Sequence, residues 1–118
     1  MLEPAIAQKD IIVYKWLNKK EGKLYAPYYR HFNYTLNKEY KEFLFCIYGI
    51  VNEGFHSIKN KIKAITHFAK YSCIDKPCLY KCVIPKGSEY YEGENGFFIK
   101  GYASDTIIIK RKLIFNLF

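Results

Sequence analysis

The order of apolar and polar residues predicts strands on both sides of one helix. Segment 10–18 (DIIVYKWLN) is rich in β-branched and aromatic residues, which is typical of a first strand. A second strand is predicted over 23–29, where Pro27 confines it to a sheet edge or ends it. The apolar run 43–51 (FLFCIYGIV) between polar neighbours favours a buried strand.

The pattern predicts the main helix in the middle of the chain. Apolar residues recur there at spacings of four, three and four: Ile58, Ile62, Ile65 and Ala69. This is the period of an amphipathic helix, and most lysines of the segment fall on other faces. Ser57 or Asn60 can cap its start, and the helix should end near 71–72, before a turn at 75–77.

The remaining segments predict loops and closing strands. Segment 36–43 gives at most one helical turn. Segment 86–96 contains three glycines and is interpreted as a loop, in which Tyr90 and Tyr91 could form a short strand pairing. Segment 78–85 (CLYKCVIP) alternates as a strand does, and 96–115 supplies one or two closing strands with a bend at 103–105.

These elements together predict the α+β class, with a mostly antiparallel sheet and one main amphipathic helix packed on it. The 118 residues fit a single domain, 1–118, with residues 1–9 as a loosely held N-terminal arm. Apolar residues make up 50% of the chain and aromatic residues 19%, including 12 Tyr and 9 Phe, which indicates a folded domain rather than a disordered one.

The charge of the chain indicates an anionic partner. Lys and Arg number 19 against 11 Asp and Glu, for a net charge of +8. Such a domain attracts phosphates or acidic protein surfaces at long range. The only arginines are Arg30 and Arg111, so diffuse attraction is favoured over bidentate base readout. A lysine-rich surface is also common where a protein is merely soluble.

No signal peptide pattern opens the chain, and no window approaches the ~18 apolar residues of a membrane span. We therefore expect no membrane contact and a cytoplasmic location, in the host cell if the protein is viral. In that compartment the cysteines are expected to be free. His67, Cys73, Cys78 and Cys82 are candidate zinc ligands, but Cys78 and Cys82 lie about 13 Å apart on a predicted strand. No metal or cofactor is expected.

The first candidate site is the Gly-Phe-His-Ser segment that leads into the helix. His56 and Ser57, with the lysines that follow, place positive potential at a helix start, where anions bind. The candidate anion-binding residues here are His56, Ser57, Lys59, Lys61 and Lys63. The plainer interpretation is that the glycine relieves a tight turn and Ser57 caps the helix.

The second candidate site is a dense aromatic and basic cluster around residue 30. Its candidate residues are Tyr28, Tyr29 and Arg30. Exposed rings beside cationic groups can stack nucleic-acid bases next to a charged groove. The same cluster could equally be part of the core and one face of a hairpin.

Four short motifs carry a resemblance: VYKWL, NEGFHSI, YKCVIPKGSEYY and YASDTIII. Together they resemble small domains of bacteriophage and mobile-element genomes, and the resemblance extends over residues 10–109. It implies an accessory or inhibitor role and no settled activity.

The layout is also similar to ADP-ribosyltransferase-like folds. That resemblance would place Ser57 in the motif before the helix and the first catalytic position at Tyr14 or Lys15, where the family has Arg or His. The last position would fall on Glu94 or Asp105. Because these positions depart from the pattern, the resemblance implies a repurposed binding cleft more than NAD-dependent chemistry.

The sequence thus predicts a small basic intracellular binding protein, more readily a non-enzyme than an enzyme. Its partner would be nucleic acid, a nucleotide or an acidic host-protein surface. Two alternatives stay open: an ADP-ribosyltransferase-like enzyme, and a structural protein that self-associates through aromatic surface. The oligomeric state is not predicted.

Overall fold

The computed structural model describes residues 3–26, 29–47, 50–66, 77–94 and 100–113. Within these ranges the chain forms twelve strands and one short helix. The elements are β1 (Ala5–Ile6), β2 (Ile11–Lys20), β3 (Lys23–Ala26), β4 (Tyr29–Tyr34), β5 (Glu39–Lys41), β6 (Phe45–Ile47), β7 (Ile50–Glu53), β8 (Phe55–Ile58), α1 (Lys61–Thr66), β9 (Pro77–Ile84), β10 (Glu89–Glu94), β11 (Lys100–Ser104) and β12 (Thr106–Lys112).

Ten strands form one sheet in the order β1-β10-β11-β8-β2-β9-β12-β5, with β3 on β2 and β4 on β3. Strands β6 and β7 pair separately with each other. All of these pairings are antiparallel. The long strand β2 is central: one edge pairs with β9, and the other pairs with β8 at Tyr14 and with β3 near its end.

The fold is therefore β-rich, and the predicted α+β class with a main amphipathic helix is wrong. Ile58, the first residue of the predicted helical stripe, lies on β8 between β11 and β2. The described helix α1 has six residues, and Ile62 on it is 70% exposed, so the 3.6-residue spacing does not mark a buried stripe. A short segment with a few apolar residues can form a strand as well as a helix. Residues 67–76, where the prediction continued, lie outside the described residues.

Two cores lie on opposite faces of the sheet. The first, called here the inner core, contains Val13, Leu17, Leu24, Tyr34, Tyr40, Phe55, Tyr80, Cys82, Ile84, Tyr102, Ile107 and Ile109. The second contains Trp16, Ile58, Ala64, Leu79 and Leu113. Helix α1 covers the second core, where the Trp16 indole N–H donates to the Ala64 carbonyl at 2.9 Å.

The sheet curls over the inner core. Tyr34 of β4 contacts Tyr40 of β5 edge to face, with ring centroids 5.2 Å apart, and also contacts Phe55 of β8 at 6.4 Å. Strands β5 and β8 are separated by β12, β9 and β2 in the sheet order. These contacts therefore require a strongly coiled sheet, which native strand twist favours.

Turn residues determine how the first hairpin closes. Glu21 and Gly22 both have positive φ, 52° and 77°, and they join β2 to β3. Two-residue hairpin turns of this type suit the right-handed twist of the strands. The turn therefore directs Lys19, Lys20 and Lys23 to one end of the sheet.

Other segments differ from their predicted form. Segment 36–43 contains β5 rather than a helical turn, 86–96 contains β10, and 43–51 contains both β6 and β7. Within the expected N-terminal arm, Ala5–Ile6 pairs with β10. Ala7 is buried, and its N–H donates to the Ser88 carbonyl at 2.8 Å. Backbone pairing thus holds this segment against the sheet.

Candidate functional site

The predicted site before the helix is divided between the two faces of the sheet. Ser57 is buried and lies opposite Tyr102, a residue of the inner core. The neighbouring residues His56 and Ile58 face the other way, since side chains alternate along a strand, and Ile58 belongs to the second core. His56 is exposed. The strand therefore separates His56 from Ser57.

The lysines of this segment also have separate environments. Lys59 forms an ion pair with Glu92 at 2.9 Å and lies over the Tyr102 ring. The hydrogen bond to Glu92 is the main cause that raises the pKa of Lys59. Lys61 and Lys63 are exposed on α1.

Asn60 caps α1. Its side-chain oxygen accepts from the Ile62 N–H at 2.9 Å and from the Lys63 N–H at 3.1 Å. The sequence offered Ser57 and Asn60 as alternative caps, and strand pairing of Ser57 with β11 leaves this role to Asn60. The predicted residues are thus neighbours in the chain, but the fold does not bring their side chains into one site.

The second predicted cluster is described in part. Tyr28 lies outside the described residues, while Tyr29 and Arg30 lie on β4, of which only the backbone is described at these positions. Strand β4 pairs with β3 through Leu24↔Tyr34. This strand leads from the predicted cluster directly to a groove.

An open groove with a volume of about 450 Å³ lies between the β2–β3 hairpin and the end of β4. Its lining residues are Lys19, Gly22, Lys23, Leu24, Asn33, Tyr34, Thr35, Leu36 and Tyr80. Lys19 and Lys23 are exposed at its rim, whereas Tyr34 and Tyr80 are 7% and 4% exposed and form its floor. We call this the hairpin groove.

Strand register explains why these side chains meet. Lys19 lies opposite Leu24, and Leu24 lies opposite Tyr34. Residues opposite each other in an antiparallel sheet share a face and approach closely. Lys19 at the rim and Tyr34 at the floor therefore lie on one face, across the neighbouring strands β2, β3 and β4.

The hairpin groove presents hydrogen-bond donors. Burial, with additional contributions from Glu42, Cys82 and Tyr40, raises the pKa of Tyr34 above its usual range. Burial also raises the pKa of Tyr80. Both phenols therefore stay protonated at neutral pH, and none of the described residues that line the groove is acidic. Glu21 lies in the adjoining turn but is not a lining residue. Ammonium groups with neutral phenols and amides form a surface suited to anions.

Sequence reasoning did not identify the hairpin groove. Lys19, Lys20 and Lys23 around a recognisable turn were the available signal. Tyr80 could not be foreseen, because it lies on β9 and reaches the groove only through its pairing with Lys15 of β2.

A half-buried lysine lies on the inner face, opposite the groove residue Tyr80. Lys15 donates from its Nζ to the His56 carbonyl at 2.7 Å. Burial lowers the pKa of Lys15, while Cys82 and Glu42 oppose this change. Cys82 is fully buried, which raises the pKa of its thiol to about 12. The thiol is therefore neutral and supplies no countercharge to Lys15.

The positions suggested by the ADP-ribosyltransferase resemblance lie in different environments. Ser57 is buried, and Tyr14 projects from the opposite face of β2 to Lys15. Asp105 accepts hydrogen bonds from the Glu89 N–H and the Thr106 hydroxyl within a bend. The side chain of Glu94 is not described.

No three His, Cys, Asp or Glu side chains of the described residues cluster as metal ligands would. His67 and Cys73 lie outside the described residues, and Cys46, Cys78 and Cys82 are free thiols. In the part of the chain that the structure describes, no helix has the length and apolar character needed to cross a membrane.

Comparison with known proteins gives no relative: no family model, no curated protein and no solved structure matches the chain. Function is therefore inferred from the charge and geometry of the chain itself. The hairpin groove is the described feature that combines a concave surface, basic rim residues and polar floor residues.

Proposed function

We propose that this chain is a binding protein for phosphate-bearing polyanions, with single-stranded nucleic acid as the first candidate, and that the hairpin groove is its contact surface. The observation that carries the proposal is the lining of the groove: Lys19 and Lys23 at the rim, protonated Tyr34 and Tyr80 at the floor, and no described acidic residue. An accessory role in a phage or mobile element fits this function and the motifs in the sequence.

The mode of binding follows from exposure. Tyr34 and Tyr80 are buried, so they offer little ring area for stacking on bases. The exposed ammonium groups of Lys19 and Lys23 would instead contact backbone phosphates and release condensed counterions. We therefore expect affinity that depends weakly on base sequence and strongly on salt. No catalytic step is proposed.

Matched charge reversals test where the polyanion binds. One variant carries Lys19→Glu and Lys23→Glu in the groove, and the other carries Lys61→Glu and Lys63→Glu on α1. Each pair of reversals lowers the net charge from +8 to +4, so the long-range attraction changes by a similar amount. Fluorescence anisotropy of a labelled single-stranded oligonucleotide, titrated at several salt concentrations, gives the affinity and its salt dependence.

We expect the groove variant to bind at least about tenfold more weakly than the α1 variant. Its slope of log affinity against log salt should fall by about 1.4, because each lost phosphate contact on a single strand removes about 0.7. Equal losses in the two variants would show that binding depends on net charge and not on the groove. Absence of binding to any polyanion at low salt would end the proposal, and equal competition by a mononucleotide would identify a nucleotide site instead.

A second candidate function, self-association, is favoured by one exposed aromatic pair. Phe43 is 69% exposed, Phe45 is 40% exposed, and their rings stack with centroids 6.0 Å apart. Removal of this apolar surface from water would favour association. Light scattering over a range of concentrations should show dimers or larger species that Phe43→Ser abolishes, and a strict monomer at high concentration would exclude this function.

A further inference from the structure

A row of polar side chains crosses the inner face of the sheet. Ser57 of β8 lies opposite Tyr102 of β11, and Lys15 of β2 lies opposite Tyr80 of β9. Strands β2 and β8 pair at Tyr14↔Ile58, so Lys15 and Ser57 are the next residues along the two strands and share the inner face. Cross-strand neighbours have Cβ atoms roughly 4.5–5.5 Å apart. Lys15 and Ser57 therefore lie beside each other on the inner face of the sheet.

Both side chains have unmet hydrogen-bonding capacity. The Ser57 hydroxyl is completely buried and has no hydrogen-bond partner among the residues that the structure describes. An ammonium group has three donors, and the Lys15 group uses one of them on the His56 carbonyl. Within the described ranges the ion pair that meets a 4.0 Å limit is Lys59–Glu92, so Lys15 has no carboxylate partner at that distance.

A single anion could accept hydrogen bonds from both groups at once. A serine hydroxyl and an ammonium group can both donate to the same atom, and burial of an uncompensated cation is costly. Among the described neighbours of Lys15, the Cys82 thiol is neutral, and Glu42 contributes a favourable negative charge only from beyond ion-pair distance. Because the Cβ atoms of cross-strand neighbours are only roughly 4.5–5.5 Å apart, we take the partner to be one small ion rather than a phosphate group.

We infer that Lys15 and Ser57 together bind a small monovalent anion, of the halide class, inside the curled sheet. This site is separate from the hairpin groove and does not depend on the proposed function. A bound anion would satisfy the Ser57 hydroxyl and compensate the charge of Lys15. It would therefore stabilise the face of the sheet where β2 and β8 meet.

Chloride-35 NMR on the intact chain tests the inference, since a bound and exchanging chloride broadens the bulk resonance. We expect wild-type protein to broaden the line, and Lys15→Met to lower this excess broadening by about tenfold or more, because a hydrogen bond to a charged group is lost together with the charge. Lys41→Met, which removes an exposed lysine on β5, should retain the wild-type broadening. The groove variant with Lys19→Glu and Lys23→Glu should retain the wild-type broadening as well.

Ser57→Ala provides the second arm of the test and should lower the broadening severalfold. Circular dichroism establishes that each variant is folded, and if Lys15→Met unfolds, Ser57→Ala and wild-type protein carry the test. The inference is overturned if wild-type protein causes no more broadening than Lys15→Met. It is also overturned if Ser57→Ala leaves the broadening unchanged, because the anion would then bind without the buried hydroxyl.

Discussion

The hairpin groove and the junction between β8 and α1 both carry lysines, yet only the groove presents them as a combined surface. At the junction Lys59 is paired with Glu92, Ser57 is buried, and Lys61 and Lys63 lie on the exposed side of a short helix. At the groove Lys19 and Lys23 flank one concavity. The difference teaches that lysines close together in the chain form one binding surface only where the fold places them around a shared concavity.

The two regions also differ in what keeps them in place. The groove is formed by a two-residue hairpin turn and the register of three strands. The junction depends on a close approach of β8 and β11, where Gly101 lies opposite Ile58 and next to the Ser57 carbonyl. Substitutions can therefore damage one region without the other, and the following predictions use that separation.

The largest expected effect is on the junction. Gly101→Ala should lower the free energy of unfolding by about 2 kcal/mol, because the added Cβ would overlap the Ser57 carbonyl oxygen and force the two strands apart. Gly93→Ala is the matched control, since Gly93 lies directly opposite Gly101 on β10 and an added Cβ would meet no atom there. In urea denaturation, the free energy of unfolding of the control should agree with that of wild type within about 0.5 kcal/mol.

The effect of Gly101→Ala should not extend to the hairpin groove. Under conditions where the variant is folded, its affinity for a single-stranded oligonucleotide should equal that of wild type. A large loss of affinity in folded Gly101→Ala would mean that the two regions are not independent.

The second expected effect concerns the cap of α1. Asn60→Ala should destabilise the protein by about 1 kcal/mol, because two helix N–H groups lose their side-chain acceptor. Ser57→Ala, measured in the absence of halide, should be neutral or slightly stabilising, because it removes a buried hydroxyl that has no partner among the described residues. If urea denaturation showed Ser57→Ala to be more destabilising than Asn60→Ala, Ser57 rather than Asn60 would be the helix cap.

A smaller effect is expected from release of Lys59. Glu92→Gln removes the ion pair with Lys59, and exposed pairs of this kind contribute little to stability. Denaturation curves should therefore overlap those of wild type. Polyanion affinity should rise only slightly, in proportion to the added net charge, and a rise well beyond that of another exposed Glu→Gln variant would show that the junction can bind anions once Lys59 is free.

The smallest expected effect is the pH dependence that His56 contributes. Partial loss of hydration on folding, and secondarily the charge of Lys15, lowers the pKa of His56 below its ordinary value of 6.5. The unfolded chain then binds the proton at a higher pH than the folded chain does, so the stabilising contribution is present above 6.5 and is lost as pH falls through the folded-state pKa. Because the side chain is exposed, solvent screens the effect and the slope should be shallow.

His56→Gln should therefore flatten the dependence of unfolding free energy on pH between neutral and mildly acidic conditions. Denaturation at matched ionic strength measures the slope for both proteins. An unchanged slope in the variant would assign the pH dependence to other groups.

The sequence was sufficient to predict several strands but not the role of the GFHS segment. β-branched and aromatic residues identified β2, and alternating residues identified β9. Ile58 was misassigned because an isoleucine before Ile62 and Ile65 fits a helical period, whereas tertiary pairing with β11 and β2 places it on a strand. Local pattern cannot decide between these states over so short a segment.

The hairpin groove illustrates the same limit for function. Lys19 and Lys23 follow from the hairpin turn, which the sequence contains in recognisable form. Tyr80 joins them only because β9 pairs with β2 in one particular register. Both faces of β2 carry buried apolar residues, so hydrophobic pattern alone does not select that register.

The central position of β2 has a consequence for how the chain reaches its native state. This strand is synthesised well before β9, its longest partner, and the register joins Ile11 to Ile84. Contacts between such distant segments require large loops to close, and this slows folding. During synthesis, the edge of β2 that pairs with β9 therefore stays without its native partner until β9 has left the ribosome.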